Sequence, residues 1–205
     1  MIYFYYILNF FNQKNIIFIK SKIRIMANYC DTKVTISGEP EDLQRLFNKI
    51  GETTTFSSET YQELFESVDD VEDWGSKWQV INPDYYPGDT MLFITGESAW
   101  RPADGLWQKI SKDYNVEVTL EYAEPGMGFA GITSWSDGKE IDRQEMSYFE
   151  HLYKNDNDYF WDEIGYKCEY SSLEEVIDDL GEVYENMDDF EKEKVQEIHT
   201  NNYCE

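Results

Sequence analysis

The sequence has few of the side chains that hold transition metals. Its only histidines, His151 and His199, lie outside any H-E-x-x-H motif or comparable ligand spacing, which disfavours a zinc site. The three cysteines, Cys30, Cys168 and Cys204, are odd in number, far apart and without a C-x-x-C pair. A disulfide framework is therefore not expected, and reduced thiols in a cytoplasm are the simpler interpretation.

Motifs that bind nucleotides or activate nucleophiles are also missing. The chain has no G-x-x-x-x-G-K-[ST] loop and no arguable Ser–His–Asp or Cys–His arrangement. The glycine-rich run 126–131 joins two predicted strands, which is typical of a tight turn and not of a phosphate site. The Asp-rich run 154–163 lacks the central glycine and final glutamate of an EF-hand, which favours a solvated turn. We therefore expect no metal, no cofactor and no catalytic residue, and a non-enzymatic role is favoured.

Basic residues are scarce. The chain has 17 Lys and Arg against 42 Asp and Glu, a net charge of −25. Four of the basic residues precede the first acid, Asp31, so residues 31–205 carry 13 basic and 42 acidic side chains, a net charge of −29. Such a surface repels phosphate backbones and anionic membranes, so neither nucleic acid nor a membrane is an expected partner. The charge is typical either of a highly soluble protein or of one that binds a basic protein partner.

Residues 1–25 differ from the rest of the chain because they contain no acid, glycine or proline. They lack the early positive region and small-residue cleavage site of a signal peptide. Polar residues between Asn9 and Asn15 interrupt the apolar run that a membrane-spanning helix needs. We favour the interpretation that translation begins at Met26 and that residues 1–25 are AT-rich upstream sequence; a membrane anchor is the alternative. Neither interpretation gives this segment a role in folding.

From Asp31 onwards the hydrophobic pattern predicts regular elements. Alternating apolar residues predict strands, and apolar residues three or four apart predict helices. A weaker helical stripe lies within 52–73. The predicted strands are 31–38, 77–81, 90–100, 116–124 and 129–135, and the predicted helices are 39–51 and 101–115, with a loop at 82–89.

The order strand, helix, strand, strand, helix, strand indicates an α+β fold. Two βαβ-like halves of this kind are typical of a ferredoxin-like sandwich, an antiparallel sheet with two helices on one face. We place this domain at residues 27–137, after the non-folding extension 1–25.

Four short runs also resemble a known family. They are ANYCDTKVTISG at 27–38, WGSKW at 74–78, ESAWRP at 97–102 and EYAEPGMGFAG at 121–131. In this order they are similar to the YubB-type ferredoxin-like domain family of conjugative plasmids, phages and their bacterial hosts. The resemblance implies the fold and a mobile-element setting, and it implies no activity.

Residues 138–205 are predicted to form an acidic, mainly helical C-terminal extension. From 140 to 205 there are 21 acidic and 5 basic residues and no proline. The run 171–187 predicts one helix, capped by Ser172 with Glu175 reaching back. A second helix is predicted over 188–198 and includes Phe190 in its apolar stripe. The aromatic run 147–166 fits either a helix or irregular structure.

Three glutamates and several aromatic residues are the candidate site. Glu97, Glu121 and Glu124 lie in or just after strands of one sheet, where carboxylates in a dry pocket could act as acid and base. A solvated sheet face is the alternative interpretation of these glutamates. Trp107, Tyr85 and Tyr86 belong to the same aromatic set, which fits either core packing or an interface. The ligand-binding or partner-binding candidates are Trp74, Lys77, Trp78, Glu97, Trp100, Glu121 and Glu124.

Two function hypotheses follow. The first is a non-enzymatic cytoplasmic interaction protein of mobile-element type. It would bind a basic protein partner through its acidic surface and inhibit a host nucleic-acid-binding or defence protein. The second is a small-ligand-binding protein or enzyme that uses a Glu/Trp pocket on the sheet. Nucleic-acid binding through the sheet would need a basic or aromatic sheet face, which the pattern does not indicate.

The predicted start at Met26 is tested by N-terminal sequencing of the native protein. We expect no residue before Met26, because the segment 1–25 shows no signal or spanning pattern. A mature chain that begins upstream of Met26 would contradict this interpretation.

Overall fold

The computed structural model describes residues 29–51, 55–57 and 75–202. This part of the chain contains one antiparallel sheet of seven strands in the order β2-β3-β4-β1-β5-β6-β7. The strands are β1 (Tyr29–Ser37), β2 (Thr55–Ser57), β3 (Trp78–Asp84), β4 (Met91–Ala99), β5 (Glu117–Glu124), β6 (Phe129–Ser136) and β7 (Lys139–Ser147). The residues 1–25, the stripe within 52–73 and Trp74 lie wholly or mainly outside the described residues.

The first half of the sheet has the predicted ferredoxin-like arrangement. Helix α1 (Pro40–Ile50) follows β1, and helix α2 (Asp104–Asp113) connects β4 to β5. Strand β1 is central, antiparallel to β4 on one side and to β5 on the other. The prediction of an α+β, ferredoxin-like fold is therefore confirmed. Helix α1 begins with Pro40, whose missing N–H costs nothing at a first helical position.

Alternation along the strands places the main core between the sheet and these two helices. The face of the sheet that contacts α1 and α2 is called the inner face, and the opposite face the outer face. On the inner face and on the two helices the buried apolar residues include Val34, Ile36, Leu92, Ile94, Val118 and Leu120, and Leu43, Leu46, Leu106, Trp107 and Ile110. Burying each large side chain contributes about 1.5–3 kcal/mol relative to exposure.

Strand β3 is longer than predicted. It continues through Asn82 and Pro83 to Asp84, where the sequence predicted a loop. Proline has no backbone donor and is tolerated in a strand only where a ladder hydrogen bond is dispensable. Strand β2 pairs only with residues 78–80 of β3. At Pro83 the described neighbour is therefore β4 alone, which pairs Pro83 with Ile94.

Strand β7 was not predicted, and it carries the sheet to Ser147. A two-residue turn connects it to β6, with positive φ angles of 51° at Asp137 and 69° at Gly138. This is the type I′ geometry that an Asp-Gly pair favours. The strand itself is polar and largely exposed, so it shows no alternation of apolar residues. The Asp-Gly pair was the available signal.

The described residues after Ser147 are mainly helical, as predicted for the C-terminal extension, and the aromatic run 147–166, which fitted either a helix or irregular structure, forms helices. The helices are α3 (Tyr148–Asn155), α4 (Asn157–Cys168), α5 (Leu173–Leu180), α6 (Glu182–Asn186) and α7 (Asp189–Asn202). They surround a second core that includes Phe160, Ile164, Cys168, Val176, Leu180 and Val195. This core meets the outer face of the sheet at Ala123, through contacts of α3 with β5, β6 and β7.

Two details of this region differ from the predictions. The capping box of Ser172 and Glu175 is present, but the single helix predicted over 171–187 is interrupted. Gly181 adopts φ 53° and ψ −126°, a conformation open to glycine and costly for other residues. Phe190, expected in a buried stripe, is exposed.

Both cysteines in the described residues are free and buried. Burial raises the pKa of the Cys30 thiol to about 12, so this side chain behaves as a small apolar group of the core. In the same described part, no helix is long and apolar enough to cross a bilayer.

Two glycine substitutions test the packing of the two layers. A Cβ atom at Gly96 in β4 would clash with the carbonyl oxygen of Val80 in β3 and lie 2.9 Å from its carbonyl carbon. We expect Gly96→Ala to lower the free energy of unfolding by about 2–3 kcal/mol. The matched control is Gly165→Ala in α4, where the nearest atom would be Asn202 Nδ2 at 3.7 Å. We expect Gly165→Ala to raise the free energy of unfolding by about 0.5–1 kcal/mol, because alanine favours a helix more than glycine does.

Urea unfolding of the full chain measures both changes. A Gly96→Ala protein as stable as the wild type would contradict the close approach of β3 and β4. A destabilised Gly165→Ala protein would contradict the open surroundings of α4.

Candidate functional site

The three candidate glutamates do not converge. Glu97 and Glu121 are exposed on the outer face, on the two strands that flank β1, opposite Asp31 and Lys33 respectively. Glu124 belongs to the inner face and is fully buried. The described residues therefore do not form the pocket expected from these three carboxylates.

Glu124 has a structural position. Its Oε2 accepts a hydrogen bond from the backbone N–H of Met127, and its carbonyl oxygen accepts one from Gly128 at 3.0 Å. Both contacts close the turn between β5 and β6. Glu124 continues the buried alternation of Leu120 and Tyr122 along β5, so the pattern that predicted the strand also places this carboxylate inside.

The aromatic candidates divide between the core and the surface. Trp107 is fully buried, and Tyr85 is buried with its hydroxyl donating to Pro40 O at 3.2 Å. Trp78 is half-buried against Tyr29, with ring centroids 5.6 Å apart. Trp100 is exposed and has φ 69°.

The remaining two candidates that the structure describes, Lys77 and Tyr86, are exposed. Only part of the aromatic set therefore packs in the core.

Glu121 lies in a cleft that sequence reasoning did not identify. This cleft, of about 310 Å³, separates the outer face from α3 and is lined by Asp31, Lys33, Glu121 and His151. Burial lowers the pKa of His151, while the nearby Glu121 opposes that shift. Burial raises the pKa of Asp31. The groups come from β1, β5 and α3, so no local spacing could have predicted their proximity.

A second cleft, of about 650 Å³, lies where β7 meets the beginning of α2. The guanidinium of Arg143 contacts Asp104 at 2.9 Å, Glu140 at 2.8 Å and Glu145 at 3.7 Å. Its hydrogen bond lowers the pKa of Glu140, whereas burial raises the pKa of Asp104. Arg143 is thus committed to three carboxylates, and it joins the added strand β7 to the ferredoxin-like helix α2.

Within the described residues, α5 and α6 carry a long surface of one charge sign. Residues 169–189 contain nine acidic and no basic side chains, and all nine are exposed. We call this segment the acidic surface. Its acids are Glu169, Glu174, Glu175, Asp178, Asp179, Glu182, Glu185, Asp188 and Asp189.

Few cations neutralise the acidic surface from outside the segment. Within the described residues, Lys167 forms an ion pair with Asp179. The side chains of Glu175 and Asp188 accept hydrogen bonds from backbone N–H groups at the starts of helices. The hydrogen bonds from Ser172 lower the pKa of Glu175. Most of these carboxylates are therefore not neutralised by a nearby cation of the described part of the chain, and together they create a negative electrostatic potential in the surrounding solvent.

The described residues show no group of three His, Cys, Asp or Glu side chains arranged to hold a metal ion. The chemistry that this arrangement does provide is attraction of cationic groups. Carboxylates on short helices packed over a common core are held in place, and ordered opposite charges speed association with a complementary partner.

Substitution of the glutamates separates structural from surface carboxylates. We expect Glu124→Ala to lower the free energy of unfolding by about 2 kcal/mol, because it removes the acceptor of the turn and leaves a cavity. Glu97→Ala and Glu121→Ala should each change it by less than about 0.5 kcal/mol. Chemical denaturation measures all three, and an equal effect of the three changes would contradict the inward position of Glu124.

The match to a family model agrees with the fold. Residues 73–162 match the family model described as the ferredoxin-like domain in Api92-like protein. A crystal structure of the protein api92 from Yersinia pseudotuberculosis is similar over 33% of this chain, at 22% identity and a TM-score of 0.28. The matched part spans 24% of that protein. No curated protein matches the chain.

The family match covers β3 to β7, α2, α3 and the first part of α4, which is less than half of the chain. It does not support the YubB-type name that the sequence resemblance suggested. Residues 73–162 are similar to the ferredoxin-like domain of Api92-like proteins.

Proposed function

We propose that this chain is a non-enzymatic interaction protein that binds a basic protein partner through the acidic surface. One observation carries the proposal: the 21 residues 169–189 hold nine exposed acids and no basic residue. These nine acids give the segment a single sign of charge, whereas exposed charges of mixed sign would serve solubility equally well.

The packing beneath the acidic surface supports this role. Val176, Leu180, Val183 and Met187 are buried in the second core under the acidic segment. The carboxylates are therefore attached to packed helices, so the backbone that carries them loses little conformational entropy when a partner binds. Carboxylates held at the surface in this way resemble the phosphates of a nucleic acid in charge.

The partner follows from that chemistry. A groove rich in lysine and arginine, built to bind phosphates, also accepts carboxylates. We propose a host nucleic-acid-binding or defence protein as the target and a mobile element, plasmid or phage, as the source of this chain. Function in a cytoplasm fits reduced, buried Cys30 and Cys168.

The rival function, a ligand pocket or active site built from Glu and Trp on the sheet, has no such support. Glu97 and Glu121 are on the outer face and Glu124 is on the inner face. The outer face of β1, β3, β4 and β5 carries five acidic side chains and one basic side chain, Lys33. That balance also disfavours nucleic-acid binding through the sheet.

Neutralising part of the acidic surface tests the proposal. The test variant carries Glu174→Gln, Asp178→Asn, Glu182→Gln and Glu185→Gln. The control variant carries Glu41→Gln, Asp84→Asn, Glu97→Gln and Glu117→Gln, which are also exposed and change the net charge equally. We expect the test variant to bind the partner at least about tenfold more weakly, since four surface charge contacts at a few tenths of a kcal/mol each reach this size. The control should bind within about twofold of the wild type.

The measurement begins with affinity capture from a host bacterial lysate and continues with titration of the purified partner at low and high salt. A surface of this kind loses affinity as salt rises. Binding that ignores salt, or equal losses in the two variants, would contradict the assignment to the acidic surface, as would the capture of no partner.

A further inference from the structure

A third cleft borders the acidic surface. It has a volume of about 750 Å³ and lies between the β5–β6 turn and the helices α3, α4 and α5. Its walls include Met127 from the turn, Phe149 from α3, Tyr166 from α4 and Tyr170 from the turn that follows α4. Tyr170 and Asp179, which also line it, lie within residues 169–189, so the cleft is continuous with the acidic surface.

The rim of this cleft is apolar and exposed. Met127 is 65% exposed, Tyr166 is 65% exposed and Tyr170 is 72% exposed. The two tyrosine rings meet edge to face, with centroids 5.4 Å apart. Exposed tyrosine and methionine grouped in this way are typical of an interface, where both residue types are enriched relative to the rest of the surface.

The inside of the cleft already holds one cation of the chain. The ammonium of Lys167 pairs with Asp179 and lies 5.9 Å from the ring centroid of Phe149. The same walls therefore combine a carboxylate with an aromatic face, which is the environment that a positively charged side chain prefers. Glu163 adds a second carboxylate to the lining.

We propose that this cleft receives an arginine side chain of the basic partner, stacked on Tyr166 and Tyr170 and directed at the carboxylates of Glu163 and Asp179. The inference rests on the proposed function and deepens it by naming the group that the partner inserts. Because Lys167 neutralises Asp179, the carboxylate of Glu163 leaves the lining with one net negative charge, which favours a cation. Arginine is favoured over lysine because its planar guanidinium stacks on rings, loses hydration more easily and contacts carboxylates through two parallel N–H donors.

The experiment compares two labelled peptides of equal length and charge, an arginine–glycine repeat and a lysine–glycine repeat. Fluorescence anisotropy with the full chain measures the affinity of each peptide. We expect the arginine peptide to bind about three- to fivefold more tightly, which matches a cation–π contribution at an exposed site. The test variant is Tyr166→Ser with Tyr170→Ser, which should remove this preference while leaving the weaker binding of the lysine peptide unchanged.

The control variant is Tyr86→Ser with Phe190→Ser. These side chains are 72% and 74% exposed and lie outside the cleft, so the control removes a similar aromatic area. It should keep the arginine preference. Circular dichroism and thermal unfolding check that both double variants remain folded, as expected for exposed residues.

The outcomes separate the two proposals. Equal affinity for the two peptides, or a preference that survives in the Tyr166→Ser, Tyr170→Ser variant, overturns the arginine cleft. If such binding still weakens with salt and with the four acid-to-amide changes, the acidic surface stands without it. Binding of neither peptide overturns the arginine cleft and argues against the acidic surface as well.

Discussion

The pairing of β1 with a strand on each side is the constraint on which the rest of the structure depends. β1 pairs with β4 from Tyr29 to Ser37 and with β5 from Asp31 to Ser37. Because side chains alternate, this single register places Val34 and Ile36 under α1 and α2 and places Asp31 and Lys33 on the outer face. A shift by one residue would exchange the two sets and bury charges in the core, which is why the register is strongly specified.

The C-terminal helices depend on a balance between their core and their charge. Residues 148–202 carry 17 acidic and 4 basic side chains. Acids at i and i+4, such as Glu174 with Asp178, repel each other within a helix. The second core, from Phe160 to Val195, offsets this repulsion by apolar burial. Packing of the second core thus offsets the repulsion between the acids. The helices therefore stay folded and hold their carboxylates in fixed positions, which an isolated peptide of this composition would not do.

Attachment to the sheet gives that surface its surroundings. The helix α3 contacts β5, β6 and β7 on the face opposite α2. This attachment brings the β5–β6 turn, with Met127, beside Tyr166 and Tyr170. It also encloses His151 with Lys33 and Glu121. The aromatic rim of the cleft lies next to the acidic surface. In a protein interface, apolar contacts contribute mainly to affinity, and complementary charges contribute mainly to the rate of association.

Sequence reasoning succeeded where the determining interactions are local. The period of apolar residues located the strands β1, β3, β4, β5 and β6 and the helices α1 and α2, but not the short strand β2. The Ser172–Glu175 capping box is also present as predicted. Sequence reasoning failed for β7, whose polar residues have no period, and for Gly181, where a continuous apolar stripe masked a break in the backbone. A strong period of apolar residues indicates that an element has one buried face. It does not indicate polar edge strands or the angle between two short helices.

The sequence by itself determined the α+β class, the two helices over one face of the sheet and the excess of acids at the C-terminal end. The alternation along β5 already assigned Glu121 and Glu124 to opposite faces of the sheet, and only the tertiary structure decided how dry each face is. Glu121 and Glu124 are three residues apart in one strand, yet one is exposed and the other is fully buried. The physical reason is that the strand sets two alternating faces, whereas the layer packed on each face decides which of them is dry. The same reason applies to Met127 and Tyr166, which are distant in the chain and share a cleft only because α3 and α4 pack on the sheet.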